Sequence, residues 1–197
     1  MLTMIVGLVI FFAIHLVPAA PDVRRSLVDR MGEGAYKGLF TVVSAIGLAV
    51  IVYGYSKLYL TPGKNPVIWT PLHGMRHVAM TLMLPAFILL AAAYIPSRIR
   101  TMAKHPMLAA VKLWALAHLL VRGDLASMVL FGSFLAWAVF DRISVKRRGG
   151  GQGPLGTATG GIGGDVAAVV VGIGLYAFML LWGHARLIGV PLIPGWS

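Results

Sequence analysis

Six runs of apolar residues, separated by short segments rich in proline, glycine and charge, dominate the chain. Such runs are typical of membrane-spanning helices, which need about 20 residues to cross about 30 Å of hydrocarbon. The first, fourth and fifth runs are short, which predicts local thinning of the bilayer or a partly buried hairpin. Pro85 interrupts the third run, where we expect a kink. The six runs lie at 2–17, 37–59, 72–95, 106–121, 125–140 and 166–190.

The composition indicates that the chain is a membrane protein. Of the 197 residues, 58% are hydrophobic and only 12% are charged, which is too much apolar surface for a soluble globule of this size. We therefore predict an all-α fold, a polytopic transmembrane helix bundle of about six spans that forms a single domain over 1–197. The bilayer is its first partner. The absence of cysteine excludes disulfides, thiolate ligands and a cysteine nucleophile.

The net charge of +11 predicts an orientation rather than a nucleic-acid partner. Eleven Lys and Arg residues lie in the first, third and fifth loops, and only five lie in the second and fourth loops and the C-terminal segment. Because basic loops stay in the cytoplasm, both termini are predicted outside. The glycine-rich segment 149–164 is then a flexible cytoplasmic linker, after which Asp165 is expected to cap the last span.

Ionisable residues concentrate between positions 105 and 124, within or beside the fourth apolar run. A charge at membrane depth costs about 3 kcal/mol on insertion scales, so each is a candidate functional residue. Snorkelling or an internal polar partner would offset this cost at Lys112, and a buried site is the alternative. The candidates in this segment are His105, Lys112, His118, Arg122 and Asp124.

Histidines elsewhere in the chain offer two kinds of metal chemistry. His73 and His77 are one helical turn apart and could hold two corners of a zinc site, but no third ligand is evident nearby. A b-type haem needs one or two neutral imidazoles, an apolar slot and a basic group for its propionates. His15 and His118, each within an apolar run, could supply the imidazoles, although simple helix packing explains most apolar stripes beside a histidine. His184 lies near the outer end of the sixth run.

Three long segments resemble the NnrU family of bacterial inner-membrane proteins, which is associated with denitrification and nitric oxide metabolism. They begin HLVPAAPDVRRSL (from 15), RHVAMTLMLPAF (from 76) and HPMLAAVKLWALAHLLVRGD (from 105), and together they cover much of the first 145 residues. More distantly, the pattern is similar to zeta-carotene isomerase, a haem b membrane enzyme that isomerises a carotenoid double bond. The resemblance implies an inner-membrane location and a bound haem b.

By position, the resemblance implies that His15 and His118 ligate the haem iron. The isomerases carry a cysteine three residues before the second histidine, where this chain has Ala115, and a histidine pair where it has Gly132 and Ser133. Both departures count against isomerase activity more than against haem binding. Arg122 follows on the same predicted helical face as His118 and could pair with a propionate.

The predicted topology places these two histidines at different depths. With both termini outside, His15 lies in the inner leaflet and His118 in the outer leaflet. By depth, His118 pairs better with His77, and His15 pairs better with His105. We keep the pair implied by the resemblance as the first expectation and His77 as its named alternative.

Three functions remain open at this point. The first is a haem enzyme with redox or isomerase-like chemistry, acting on nitric oxide or an isoprenoid polyene. The second is a non-catalytic factor that supports nitric oxide reductase through a membrane partner subunit. The third is a methyltransferase, because the sequence Lys-His-Pro at 104–106 is similar to the Arg-His-Pro of membrane isoprenoid and phospholipid methyltransferases, although the acidic pocket those enzymes need is not evident.

Overall fold

The computed structural model describes residues 1–61, 63–149, 155 and 158–193, and within them helices are joined by loops and by one isolated β-bridge between Val67 and Asp124. A turn of 3₁₀-helix at Val17–Ala19 follows the first helix, and a π-helix at Met179–Ile188 continues the last one. The α-helices are α1 (Leu2–Leu16), α2 (Pro21–Met31), α3 (Glu33–Leu60), α4 (Met75–Ala92), α5 (Arg98–Ala103), α6 (Pro106–Leu119), α7 (Leu125–Arg147) and α8 (Ile162–Phe178).

Five of the helical segments are long and apolar enough to cross a membrane: Leu2–Ala19, Glu33–Leu60, Met75–Ala92, Leu125–Arg147 and Ile162–Ile188. This confirms an all-α membrane protein with several spans. The fourth apolar run forms α6, whose 14 residues are about 21 Å long and therefore shorter than the hydrocarbon core. The fifth run was expected to be short, but α7 has 23 residues. Its helix continues past the predicted end of the run at 140 through residues 141–147, five of which are polar.

The described chain divides into two compact units, which we treat separately. The first comprises Met1–Pro71 and Arg122–Arg147, and its main contact joins α1 to α3. Glycines let these two helices approach closely: a Cβ atom on Gly54 would lie 2.4 Å from the Met4 nitrogen, and one on Gly7 would lie 2.6 Å from the Ile51 nitrogen. Close backbone approach at small residues is the usual basis of helix association in membranes.

The second unit comprises Leu72–Val121 and Arg148–Ser197, in which α4 packs against α6 and α8. Asp165 does not cap its own helix, which begins after Gly161, so that prediction is wrong. Instead its carboxylate accepts hydrogen bonds from the nitrogens of Arg98 (2.7 Å) and Ile99 (3.1 Å) and pairs with the Arg98 side chain. It thereby caps α5, which is distant in sequence. Residues 150–154, 156 and 157 of the predicted linker 149–164 lie outside the described residues, and residues 162–164 already belong to α8.

Candidate functional site

The ring that the structure places beside His118 belongs to His184. The two ring centroids are 6.5 Å apart, and the ring planes differ by 23°. His118 Nδ1 donates to the Trp114 carbonyl at 2.8 Å, and His184 Nδ1 donates to the Val190 carbonyl at 2.6 Å. Because a carbonyl can only accept, each ring carries a proton on Nδ1, and a neutral ring then has its lone pair on Nε2. Both imidazoles are therefore in the tautomer that ligates a metal through Nε2.

The backbone around His184 is unusual. Residues Met179–Ile188 form a π-helix of ten residues, whereas most π-helical segments are single turns that occur frequently at functional sites. Gly189 follows in the left-handed conformation (φ 79°) and ends the helix. This turn brings the Val190 carbonyl back to His184, so the local chain path fixes the orientation of the ring.

The other predicted site residues of the second unit do not join the pair of His118 and His184. His105 precedes Pro106 at the start of α6 and is 8% exposed, whereas His73 and His77 are exposed near the start of α4. Among the described residues, no group of three His, Asp or Glu side chains could hold a metal ion, so the possible zinc site has no third ligand there. Lys112 is half-buried on α6, and the described residues give its ammonium no ion-pair partner.

His15, which lies in the first unit, sits among aromatic rings. Its ring stacks on Phe11 at 3.9 Å and meets Phe40 at 4.9 Å and Trp137 at 5.4 Å. Its Nδ1 donates to the Phe11 carbonyl at 2.7 Å, which again leaves the lone pair on Nε2. The Trp137 indole nitrogen is buried, and no described residue forms a hydrogen bond with it. His15 and His118 thus share a tautomer but belong to different units.

Arg122 and Asp124 form part of a polar cluster, which we call the Asp124 cluster: Tyr55, Asn65, Arg122, Asp124 and Ser127. One carboxylate oxygen of Asp124 accepts from the Asn65 side chain (2.8 Å) and the Ser127 nitrogen (2.9 Å). The other accepts from the Ser127 hydroxyl (2.8 Å) and Arg122 Nε (3.1 Å). Tyr55 donates to the Ser127 hydroxyl at 2.8 Å and accepts from Arg122. Four donors therefore surround one carboxylate.

The electrostatics of this cluster favour the charged carboxylate. Burial by itself would raise the pKa of Asp124, but the hydrogen bonds from Asn65 and Ser127 and the adjacent Arg122 guanidinium hold that pKa below its ordinary value. Helix α6 ends at Leu119, so Arg122 does not continue the face that carries His118, contrary to the expectation from periodicity. Its guanidinium is engaged by Asp124 and lies 5.3 Å from the centre of the Tyr59 ring.

Sequence reasoning missed Asn65, Tyr55 and Ser127, because ordinary polar residues near span ends give no distinctive signal. The segment that carries Asn65 is bound to the start of α7 through its backbone: Ile68 donates to the Gly123 carbonyl at 2.7 Å, and Leu125 donates to the Pro66 carbonyl at 2.9 Å. A Cβ atom on Gly123 would overlap the Trp69 carbonyl oxygen. This close approach permits only glycine at position 123. The Gly123-Asp124 pair was therefore the one sequence feature that could have indicated a tight backbone contact at the Asp124 cluster.

A second feature of the first unit is an open cavity of about 410 Å³. The 3₁₀ turn, α2 and α3 contribute its walls, near the ends of two membrane-span segments. Two of its six lining residues are basic, two are aromatic, and none is acidic. They are Pro18, Arg24, Tyr36, Lys37, Phe40 and Thr41.

Comparison with known proteins assigns the chain to a family. The sequence model of the NnrU family, described as NnrU protein, matches residues 3–192. The chain belongs to the NnrU family. The match extends beyond the segments that first indicated the resemblance and includes the π-helix with His184, so both compact units are parts of the NnrU sequence. Neither the comparison with curated proteins nor that with solved structures finds a match.

Proposed function

We propose that this NnrU protein is an inner-membrane haem b protein in which His118 and His184 hold the iron. The observation that carries the proposal is the paired arrangement of the two imidazoles, each with Nδ1 bonded to a backbone carbonyl. His118 and His184 would hold the iron from within one compact unit, where their rings are neighbours. The observed centroid separation is 6.5 Å.

The donor set fits a haem iron. Imidazole pairs are suitable ligands for haem, and a hydrogen bond from Nδ1 to a carbonyl fixes the ring orientation and raises the basicity of Nε2. Trp114, whose ring centroid lies 5.3 Å from that of His118, adds an apolar wall. When bound, the haem would supply a redox-active iron with affinity for small ligands such as nitric oxide. The residues of this chain orient the imidazoles and keep the surroundings apolar.

The choice of His184 departs from the pair implied by the resemblance, which joins His118 to His15. We prefer His184 as the second ligand because its ring is beside that of His118 within one compact unit. The predicted topology supports the same pair, since it places both residues toward the outer side of the membrane. His15 remains the alternative second ligand, supported by the hydrogen bond that orients its Nδ1 and by its aromatic surroundings.

At the level of physiology, we propose that the protein acts in nitric oxide metabolism, as the association of NnrU proteins with denitrification suggests. Two roles are consistent with a bis-histidine haem: electron transfer or ligand chemistry at the iron, and a non-catalytic role beside nitric oxide reductase. If both His118 and His184 hold the iron, the bound haem would supply electron-transfer chemistry more readily than ligand chemistry. Isomerisation of a polyene has the weakest support, since Ala115 replaces the cysteine of the isomerases.

His118→Ala should abolish haem binding. The variant loses the ligand that both candidate pairs share, so we expect the haem content of the purified protein to fall by at least about tenfold. The measurement is the haem-to-protein ratio after expression in haem-replete cells. The matched control is His73→Ala, the same change at an exposed histidine, which should leave the ratio unchanged. Wild-type protein that carries no haem under these conditions would contradict the proposal.

A further inference from the structure

The open cavity beside Tyr36 is independent of the histidines and has the character of an anion site. Arg24 and Lys37 line it without any acidic lining residue. The Arg24 guanidinium carbon lies 5.6 Å from the centre of the Tyr36 ring, a cation–π arrangement that holds the side chain at the cavity. Lys37 pairs with Glu33 at 2.9 Å, but both side chains are more than half exposed. Such a pair contributes little and leaves the ammonium available.

The Tyr36 hydroxyl gives a second, independent indication of a ligand. Tyr36 is only 5% exposed, and its hydroxyl oxygen is buried with no hydrogen-bond partner among the residues that the structure describes. Buried polar groups are nearly always satisfied, because an unpaired one loses its interaction with water and gains nothing in return. Since Tyr36 itself lines the cavity, an acceptor bound there is the simplest partner for this hydroxyl.

The position of the cavity favours a lipid as the source of that acceptor. Its lining residues lie between the end of the first span segment, Leu2–Ala19, and the first three turns of the second, which begins at Glu33. This is the level at which phospholipid headgroups meet a membrane protein. The neighbouring loop also carries the basic residues that predict a cytoplasmic location, where anionic lipids attract Lys and Arg. Pro18 and Phe40 provide apolar wall for the glycerol and upper acyl region.

We propose that this cavity binds the phosphate of an anionic phospholipid headgroup. Arg24 and Lys37 neutralise the phosphate, and the Tyr36 hydroxyl donates a hydrogen bond to one of its oxygens. Arginine suits this task because its planar guanidinium can donate two parallel hydrogen bonds to phosphate. The bound lipid would tie α2 to α3 at the membrane surface.

The test is titration of the full-length protein in detergent with phosphatidylglycerol or phosphatidylcholine, with lipid-bound species counted by native mass spectrometry. We expect tighter binding of phosphatidylglycerol and a loss of about tenfold in that affinity for Arg24→Gln. The matched control, Arg25→Gln, removes the same charge from the next residue, whose side chain is 72% exposed and faces Asp22 at 3.9 Å. It should change the affinity by less than about twofold.

Tyr36→Phe supplies a variant that keeps the charge and the fold. It should weaken phosphatidylglycerol binding several-fold while the melting temperature of the lipid-free protein stays the same or rises, since the unpaired hydroxyl is removed. Equal losses for Arg24→Gln and Arg25→Gln would overturn the proposal in favour of diffuse attraction. Unchanged binding in Tyr36→Phe would also overturn it. So would displacement of the lipid by an equal concentration of inorganic phosphate, which would identify free phosphate as the ligand.

Discussion

Replacing Gly54 by valine should prevent α1 and α3 from packing and abolish the folded protein. A Cβ atom at this position would lie 2.4 Å from the nitrogen and 2.7 Å from the Cα of Met4, so the obstacle is backbone, which cannot rotate away. Met4 is fully buried at this contact. Overpacking of a close interface costs about 3 kcal/mol, and the two further methyl carbons of valine add to the clash. We expect loss of monodisperse protein after detergent extraction, measured by size exclusion, and a lower melting temperature of any remainder.

The control for this prediction is Gly38→Ala in the same helix. A Cβ atom on Gly38 meets nothing within 4 Å, so the change adds helix propensity without a clash. It should leave the protein unchanged or stabilise it by about 0.5–1 kcal/mol. If Gly54→Val were as stable as Gly38→Ala, the close α1–α3 contact would be wrong.

Asp124→Ala should destabilise the protein by about 3 kcal/mol, because it leaves the donors of the Asp124 cluster without their acceptor. The side chains of Arg122 and Asp124 are 25% and 12% exposed, so Arg122 would keep a largely buried charge without its partner. The measurement is the midpoint of thermal or denaturant unfolding. Arg122→Gln/Asp124→Ala should lose less than the sum of the two single changes, since the unpaired charge is then gone. Strict additivity would contradict a coupled cluster.

The same cluster predicts the effect of acid. Because the pKa of Asp124 is lower in the folded protein than in the unfolded chain, its charged form stabilises the fold. This contribution is complete above the unfolded pKa of about 4 and is lost as the pH falls through the lower folded pKa. The stability difference between the wild type and Asp124→Asn should therefore be constant near neutral pH and shrink below about pH 4. A difference that grows in acid would mean that the shift has the opposite sign.

The helices could be predicted from the apolar runs because hydrophobicity alone decides which segments enter a bilayer. Their ends could not. Hydrogen bonding continues α7 to Arg147, seven residues past the predicted end of the apolar run at 140. Asp165 caps α5 instead of its own helix because Arg98 and Ile99 approach it from another part of the chain. Nothing local encodes either outcome.

The candidate residues were found more readily than their partners. Histidines and an Asp-Arg pair in apolar surroundings are visible in the sequence, since ionisable groups are costly there. The His118–His184 pair is not, because 65 residues separate its members and a π-helix, which has no sequence signature, sets the second ring. Asn65 and Tyr55 likewise join the Asp124 cluster only through the tertiary fold.

The most direct test of the proposed iron site compares His184→Ala with His15→Ala by absorption and electron paramagnetic resonance of the oxidised protein. The wild type should show the low-spin signal of a bis-histidine haem. His184→Ala should retain haem but become high-spin, because one ligand is lost, whereas His15→Ala should remain low-spin. If His15→Ala becomes high-spin and His184→Ala stays low-spin, His184 is not a ligand and the pair implied by the family resemblance is correct.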